Sequence, residues 1–519
     1  MRNFHRYWVG LAFALSTCFS PVPGLQCAPS DEAASVAKQE SPPPSEPLEI
    51  QRGYRPLVAA LHIHTQFSNG DFSVLELARH AHERKLDVVG FSDSFLTRVR
   101  YGIGPLKKLV SRSMSRPGVY DHGITSYLES VETAQSRYPD VVLLPGLEVA
   151  PYYRWHGKFS DDLRLLDFNR HLLVFGLESV SAIRDLPVIE NETWGNTPRD
   201  WSQALGPASL ILAGFILLFL RREKRIQLAH FVVRKRRRFT GLSVLFLLAG
   251  AAWLYDRYPF GKWFDPYSGR HDVVAYQRVI DYVRDRNGLT FWSYPEARFA
   301  DVIALGVRMI TVGNPEDLWL VDRYQGFEGL YGDRITITEP GNVWDKLLIE
   351  YLKRGRSTWP SIITGIDFHF FKGGGWYGLD RGQTILWARK KDEASVLDAL
   401  RQGRGYAVFQ GGSDNDLTLR NYGLRCGNDV ALSGETLVTS TPVTLTAVID
   451  WNDRSKSEDA GMARLEVVRD GELVDRGEYP FPIRVSRTDS LTPGRHYYRI
   501  RVKYNSYEIL SNPVFCTIR

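Results

Sequence analysis

Short apolar runs of four to seven residues recur through the first 410 positions, and each meets a charged or imidazole side chain at one end. Val58 to Leu61 leads into His62-Ile63-His64-Thr65, Val88 to Ser92 ends at Asp93, and Val141 to Leu147 ends at Glu148. His171 opens Leu172 to Phe175, and Ile362 to Ile366 leads into Asp367-Phe368-His369. Runs of this length, rich in branched residues, predict buried strands. Between them lie stretches with helical spacing of apolar positions, such as Val74 to Lys85, Tyr276 to Arg286 and Trp344 to Arg354. Strand alternating with helix predicts a parallel sheet, and a (β/α) barrel gathers functional groups at the carboxyl ends of its strands. From about Gly411 the pattern changes to short alternating runs, in Val443 to Ile449, Leu465 to Arg469 and Tyr497 to Val502. Asp470-Gly471 supplies a hairpin turn, so residues 411–519 are expected to form a small β-sandwich, either a packing domain or one that binds a glycan or partner.

Two longer apolar runs interrupt this order. Ala204 to Leu220 and Phe239 to Tyr255 lack charged side chains, and each would make a helix of roughly 25 Å, close to a bilayer core. Trp201, Trp253 and Tyr255 sit where interfacial aromatics collect. The pair is expected to be a transmembrane hairpin over residues 204–255, inserted in the barrel.

Charge sharpens that picture. The chain of 519 residues carries a formal +6, yet residues 221–238 alone hold nine Lys or Arg and one Glu. The basic character is local to the segment between the two apolar runs, so nucleic acid is not an expected partner. By the positive-inside rule that segment is cytoplasmic and the remainder lies outside. Met1 to Arg6 followed by an apolar run from Tyr7 to Phe19 reads as an export signal or N-terminal anchor over residues 1–27. Residues 28–52 are rich in Pro and Ser and read as a tether. The expected location is a bacterial inner membrane, with barrel and sandwich on the periplasmic or extracellular side. Four cysteines show no CxxC spacing, so a zinc ribbon is not expected; Cys426 and Cys516 either pair or remain buried thiols.

The candidate chemistry lies at the ends of the short runs. On a strand, residues i and i+2 face the same way, so His62 and His64 form one same-face pair and Asp367 and His369 another. Two neutral imidazoles a few ångströms apart are a natural divalent-metal pair. With Asp93, Glu148 and His171 at further strand ends, the set is that of a metal centre rather than of scattered helix caps.

The order HxHT, strand-end Asp, PGLE, strand with His, a strand ending in Tyr294-Pro295, then GxDxH resembles the PHP (polymerase and histidinol phosphatase) metallohydrolase family, over roughly residues 56–410. Trp344 to Leu348 and Ala399 to Arg404 resemble its branch of secreted and membrane esterases. The resemblance implies a distorted (β/α)7 TIM-like barrel over residues 53–410 and a cluster of Zn, Mn or Fe. It implies His62, His64, Glu148, His171, Asp367 and His369 as ligands, with Asp71 displaced by one position from the family's early Asp. Where the family has His after the strand-end Asp, this chain has Ser94, and where it has His-Pro, this chain has Tyr294-Pro295. One or two metal ions are therefore expected rather than three. Glu148, His171 and Asp93 are the expected catalytic groups, and Arg98, Arg170 and Tyr294 the expected substrate contacts, with Arg100 and His156 nearby.

Two functions are open on these residues. One is a membrane-anchored, outward-facing phosphoesterase or related ester hydrolase acting on a small-molecule or envelope ester. The other is a degenerate barrel that binds an envelope ligand or partner without turnover.

Overall fold

The computed structural model describes residues 46–103, 106–158, 161–191, 201–228, 230–258, 260, 264–267, 269, 273–302, 306–332, 335–370, 378–409, 417–440, 442–452 and 461–519. The export signal and most of the tether lie outside the described residues. The tether's end does not: Leu48–Gln51 is a helical turn with Leu48 and Glu49 buried. Its Leu48 amide donates to Asn421 Oδ1 (2.7 Å), and Glu49 Oε2 accepts from the Asn421 amide (3.0 Å). The free linker expected up to residue 52 is thus docked on the C-terminal region from Leu48 onward.

The expected strands are all present. Arg55–Ile63 pairs in parallel with Val88–Phe91, which pairs in parallel with Val142–Leu144. A second sheet orders Asp93–Ser94, Gly146–Val149, Leu172–Phe175, Leu289–Trp292, Gly326–Leu330 and Ser361–Thr364 side by side. The strands therefore divide between two sheets instead of closing into one barrel. Among the described residues, one isolated bridge at the site end, Ile63 to Phe368, joins the first sheet to the segment after Ser361–Thr364, with His64 N donating to Phe368 O (2.9 Å) and Phe368 N to His62 O (3.1 Å). The arrangement is also not wholly parallel: Leu172–Phe175 runs antiparallel to both neighbours. Four-residue apolar runs carry no sign of their direction, and this reversal is why His171, at the start of its run, shares an edge with groups at the ends of theirs.

The helices follow their expected positions to within two residues: Val74–Glu83, Val274–Arg284 and Val343–Leu352. The first is closed by a capping box between Ser73 and Glu76, which satisfies amides that the helix itself leaves without partners. Leu77, Ala78 and Ala81 on one side, and Tyr276, Val279, Ile280 and Val283 on the other, bury against the sheets. Inside, Gly90 and Gly146 make room for the Phe175 ring, which a Cβ at Gly146 would meet at 2.5 Å.

The C-terminal β layers are present but not separate. Leu417–Cys426, Asp429–Leu432, Val443–Trp451 and Ile483–Asp489 form one sheet. The facing layer joins the first sheet, because Gly405–Phe409 pairs with Tyr507–Ser511. A boundary at residue 410 is crossed by one continuous eleven-stranded sheet. The junction also holds a fully buried ion pair, Arg499 with Asp345 through two 2.6 Å bonds, and Tyr497 OH donates to the same carboxylate at 2.8 Å. Cys426 and Cys516 are both free thiols.

The inserted segment forms two antiparallel helices, Ser202–Phe219 and Thr240–Arg257, joined by a two-stranded ribbon of Arg221–Leu228 and Phe231–Arg238. Among the described residues, Ser202–Phe219 alone is long and apolar enough to cross a membrane. Two spans were expected; the second helix takes Asp256 and Arg257 into its last turn. Small residues line the contact between the helices. Ser243 Oγ donates to Gly214 O at 2.6 Å, and a Cβ at Gly250 would meet Ile211 at 2.6 Å. The other faces expose Leu205, Leu212, Phe215, Ile216, Leu245 and Leu248.

Candidate metal centre

His62 does not sit on a regular strand. Its φ is +66°, and the ladder with Val88–Phe91 shifts register between Leu61 and Ile63. The bulge re-aims the imidazoles, so that His62 Nε2 and His64 Nε2 each lie 3.3 Å from Asp367 Oδ1. Asp367 and Tyr294 also have positive φ, +44° each. Such conformations cost about 1–3 kcal/mol apiece for non-glycine residues and collect at functional sites.

Glu148 closes the other side. Its Oε1 is 3.3 Å from His62 Nε2 and 2.7 Å from His171 Nδ1, and its Oε2 is 3.8 Å from His64 Nε2. His369 stacks on His64 with ring centres 4.2 Å apart and places Nε2 2.8 Å from Asp367 Oδ1. All six residues carried over from the family pattern as ligands therefore converge.

His62 Nε2, His64 Nε2 and His369 Nδ1 are buried without a hydrogen-bond partner, a state that buried polar groups avoid unless another ligand takes them. Two such nitrogens and a carboxylate oxygen of Asp367, mutually within 4.8 Å, fit one divalent ion.

Electrostatics point the same way. Burial opposes charge on Glu148, yet His171 and His62 hold its carboxyl well below the usual range. Burial also opposes the charged form of Asp367, and His62 and His369 outweigh it. Burial lowers His62, but Glu328 and Asp367 raise it well above its ordinary value. Burial also lowers His369, and Asp367 outweighs it and favours its charged form; a divalent ion would take the place of such protons, since metal ligands bind deprotonated.

Glu328 is the functional residue that sequence reasoning missed. It is fully buried and accepts from His62 Nδ1 at 2.6 Å, which leaves Nε2 to face the centre. Its second oxygen accepts from the Tyr294 amide at 3.0 Å. The only sequence signal was one acid inside the run Gly326 to Leu330.

Other expected residues lie elsewhere. The Asp93 carboxylate accepts from Thr65 N (2.7 Å), Thr65 Oγ1 (2.8 Å) and Ser68 Oγ (2.6 Å), and Ser68 contacts His64 Nδ1 at 3.2 Å. It organises the turn behind His64. Asp71 is exposed, and among the described residues it is not one of the group that could hold a metal ion. Arg98 pairs with Asp121 at 3.3 Å, and Arg170 is buried between Asp167 (3.1 Å) and Asp317 (2.9 Å). Neither points an uncommitted guanidinium at the centre. Arg100 faces Glu190 at 3.6 Å, and His156 is exposed on the Arg154–Lys158 strand. Tyr294 does reach the centre, stacked on His62 at 5.2 Å. Burial, with Asp367 and Glu328 nearby, pushes its phenol well above its ordinary value, so it offers a hydroxyl and not a phenolate ligand.

No family model matches the chain, and no curated protein does. Among solved structures it is similar to a two-domain protein from Bacteroides vulgatus containing a predicted PHP-like metal-dependent phosphoesterase, with 11% identity. That alignment covers 88% of this chain and 92% of the other at a TM-score of 0.34. A second, from Bifidobacterium adolescentis and described as a metal-dependent phosphoesterase, is 15% identical. It covers 62% of this chain and 90% of its own length at a TM-score of 0.25.

Proposed function

We propose that this chain is a membrane-held hydrolase of PHP type, cleaving a phosphoester or related ester with metal-activated water. The observation that carries the reading is the pair of buried, partnerless Nε2 atoms on His62 and His64, facing the carboxylates of Asp367 and Glu148. His62, His64 and Asp367 would hold the ion, and Glu148 would share it. A bound divalent ion supplies a hydroxide nucleophile near neutral pH, because its water has a pKa of about 7. Glu328 fixes the orientation of His62, and Ser68 with Asp93 fixes that of His64. His171, bonded to Glu148, is placed to take the proton of the attacking water and return it to the leaving oxygen. Tyr294 OH donates to substrate oxygen. Ser94 and the commitment of Asp93 to Thr65 and Ser68 favour one or two ions over three.

The helix pair is read as the anchor, with its basic ribbon cytoplasmic and the metal centre outside. The test is elemental analysis of detergent-purified protein beside the His62→Ala/His64→Ala variant, with a phosphoester assay on both. At least one ion per chain, lost together with hydrolysis in the variant, is the expected result. Bound metal with no turnover on a broad ester panel would replace this reading with a barrel that binds an envelope ligand, the role to which Ser94 would then point.

A further inference from the structure

Every metal-centre residue lies at one edge of the sheets, and the inserted helices are rooted in the rim of that same edge. The segment entering the first helix is tied to the chain just beyond Glu148: Ile189 N donates to Pro151 O (3.2 Å), and Tyr153 OH to Glu190 Oε1 (2.6 Å). The segment leaving the second helix returns to the same rim. Trp155 N donates to Pro266 O (2.6 Å), Tyr152 OH to Asp265 O (3.1 Å), and the Gly102 amide to Tyr267 OH (2.6 Å).

Two further features lie at that root. The turn joining Thr97–Gly102 to Ser111–Arg116 exposes Ile103, Leu109 and Val110, each more than half accessible, beside Lys107 and Lys108. Apolar tips with adjoining lysines suit a bilayer interface, where the stems bury and the ammonium groups reach phosphates. Beneath the turn is a cavity of about 340 Å³ against the end of the second helix, lined by Lys107, Lys108, Trp253, Arg257, Asp265 and Tyr267 among others. Lys108 is anchored, its Nζ donating to Tyr258 O at 2.8 Å. Lys107 is loosely held, 3.9 Å over the Tyr267 ring and 3.9 Å from Asp265. Among the described residues Arg257 makes no ion pair. In this lining the three cations Lys107, Lys108 and Arg257 outnumber the two carboxylates Asp256 and Asp265, and Trp253, Phe264 and Tyr267 supply three rings, the fittings for one anionic headgroup.

We propose that this cavity binds the phosphate of a bilayer phospholipid headgroup. The proposal rests on the membrane reading of the helix pair and adds the ligand class. It is tested on the full-length chain in detergent by native mass spectrometry with phosphatidylglycerol as the probe. Wild type is expected to retain one lipid beyond the loosely held shell, and Lys107→Glu/Arg257→Glu to retain it about tenfold less. The Leu109→Asp/Val110→Asp variant should also lose it, which guards against a folding defect in the first variant; Lys107→Arg should keep it. Millimolar inorganic phosphate should not displace the lipid. Equal retention in both double variants overturns the proposal, and so does displacement by free phosphate, which would make the ligand a soluble anion. His64→Ala should bind lipid as wild type does, so a failed hydrolase reading and a failed headgroup site give different results.

Discussion

Glu328 illustrates how one carboxylate outside the ligand set can govern it. With its acceptor gone, His62 is free to rotate or to adopt the tautomer that turns a proton toward the ion. Loss of such an orienting partner costs roughly 10- to 100-fold in metal affinity. Glu328→Gln is therefore expected to weaken metal binding by about that factor, read by competition with a chromogenic chelator. Its folding transition should stay near wild type, since Gln can still accept from the Tyr294 amide. Asp93→Asn acts differently: Thr65 and Ser68 lose a charged acceptor in a buried turn, and a loss of about 2 kcal/mol in stability is expected. Denaturant titration reads this, with metal affinity falling only through His64. Cys516 adds a chemical marker. Burial pushes its thiol up to about 12, so it should react with thiol reagents at pH 8 only after unfolding. The convergence of His62, His64, Glu148, Asp367 and His369 was legible because HxH, GLE and DxH are short patterns that place several donor-type side chains on one edge. Arg98 and Arg170 were misplaced because nearness in sequence does not show that a guanidinium already has an acid; Glu328 was missed because a single acid in a short apolar run looks like any other.

At the scale of elements, the two inserted helices differ from the other helices in what makes them meet. Their contact is built from Gly214, Ser243 and Gly250, the small-residue packing by which helices associate where no water is present to drive them together. Gly214→Leu and Gly250→Leu are expected to separate the pair, seen as loss of cross-linking between cysteines placed on the two helices. The ribbon between them sets Arg225 opposite Arg234. Like charges directly opposed disfavour strand pairing, so the ribbon's order is expected to rise with anionic lipid and fall with salt, followed by amide exchange. Patterning revealed both helices and the basic segment. It did not show a ribbon, because a charge-dense stretch carries no hydrophobic alternation from which strands are read. Nor did it show that Leu172–Phe175 runs backwards, which follows from the company it keeps in the sheet.

At the scale of the whole molecule, the barrel-like half and the β layers after residue 410 share a sheet and a buried ion pair. The pattern changes after residue 410, but the sequence gives no hint that one sheet joins the two halves, since Gly405–Phe409 finds its partner in Tyr507–Ser511. Removing one member of a buried pair costs about 3–5 kcal/mol. Asp345→Asn is thus expected to destabilise the entire chain, with one calorimetric transition for both halves rather than two.

The position of the helix pair within the chain bears on how the centre comes to exist at all. His62, His64, Glu148 and His171 are synthesised before it, and Asp367 and His369 after it. On the two-helix reading, the chain must cross the bilayer an even number of times for these two groups of ligands to meet. A single failed crossing would leave four of the donors in one compartment and two in the other, with the set held complete in neither. Occupancy of the centre is then a record of insertion parity, and a chain that carries its ion has already proved its topology.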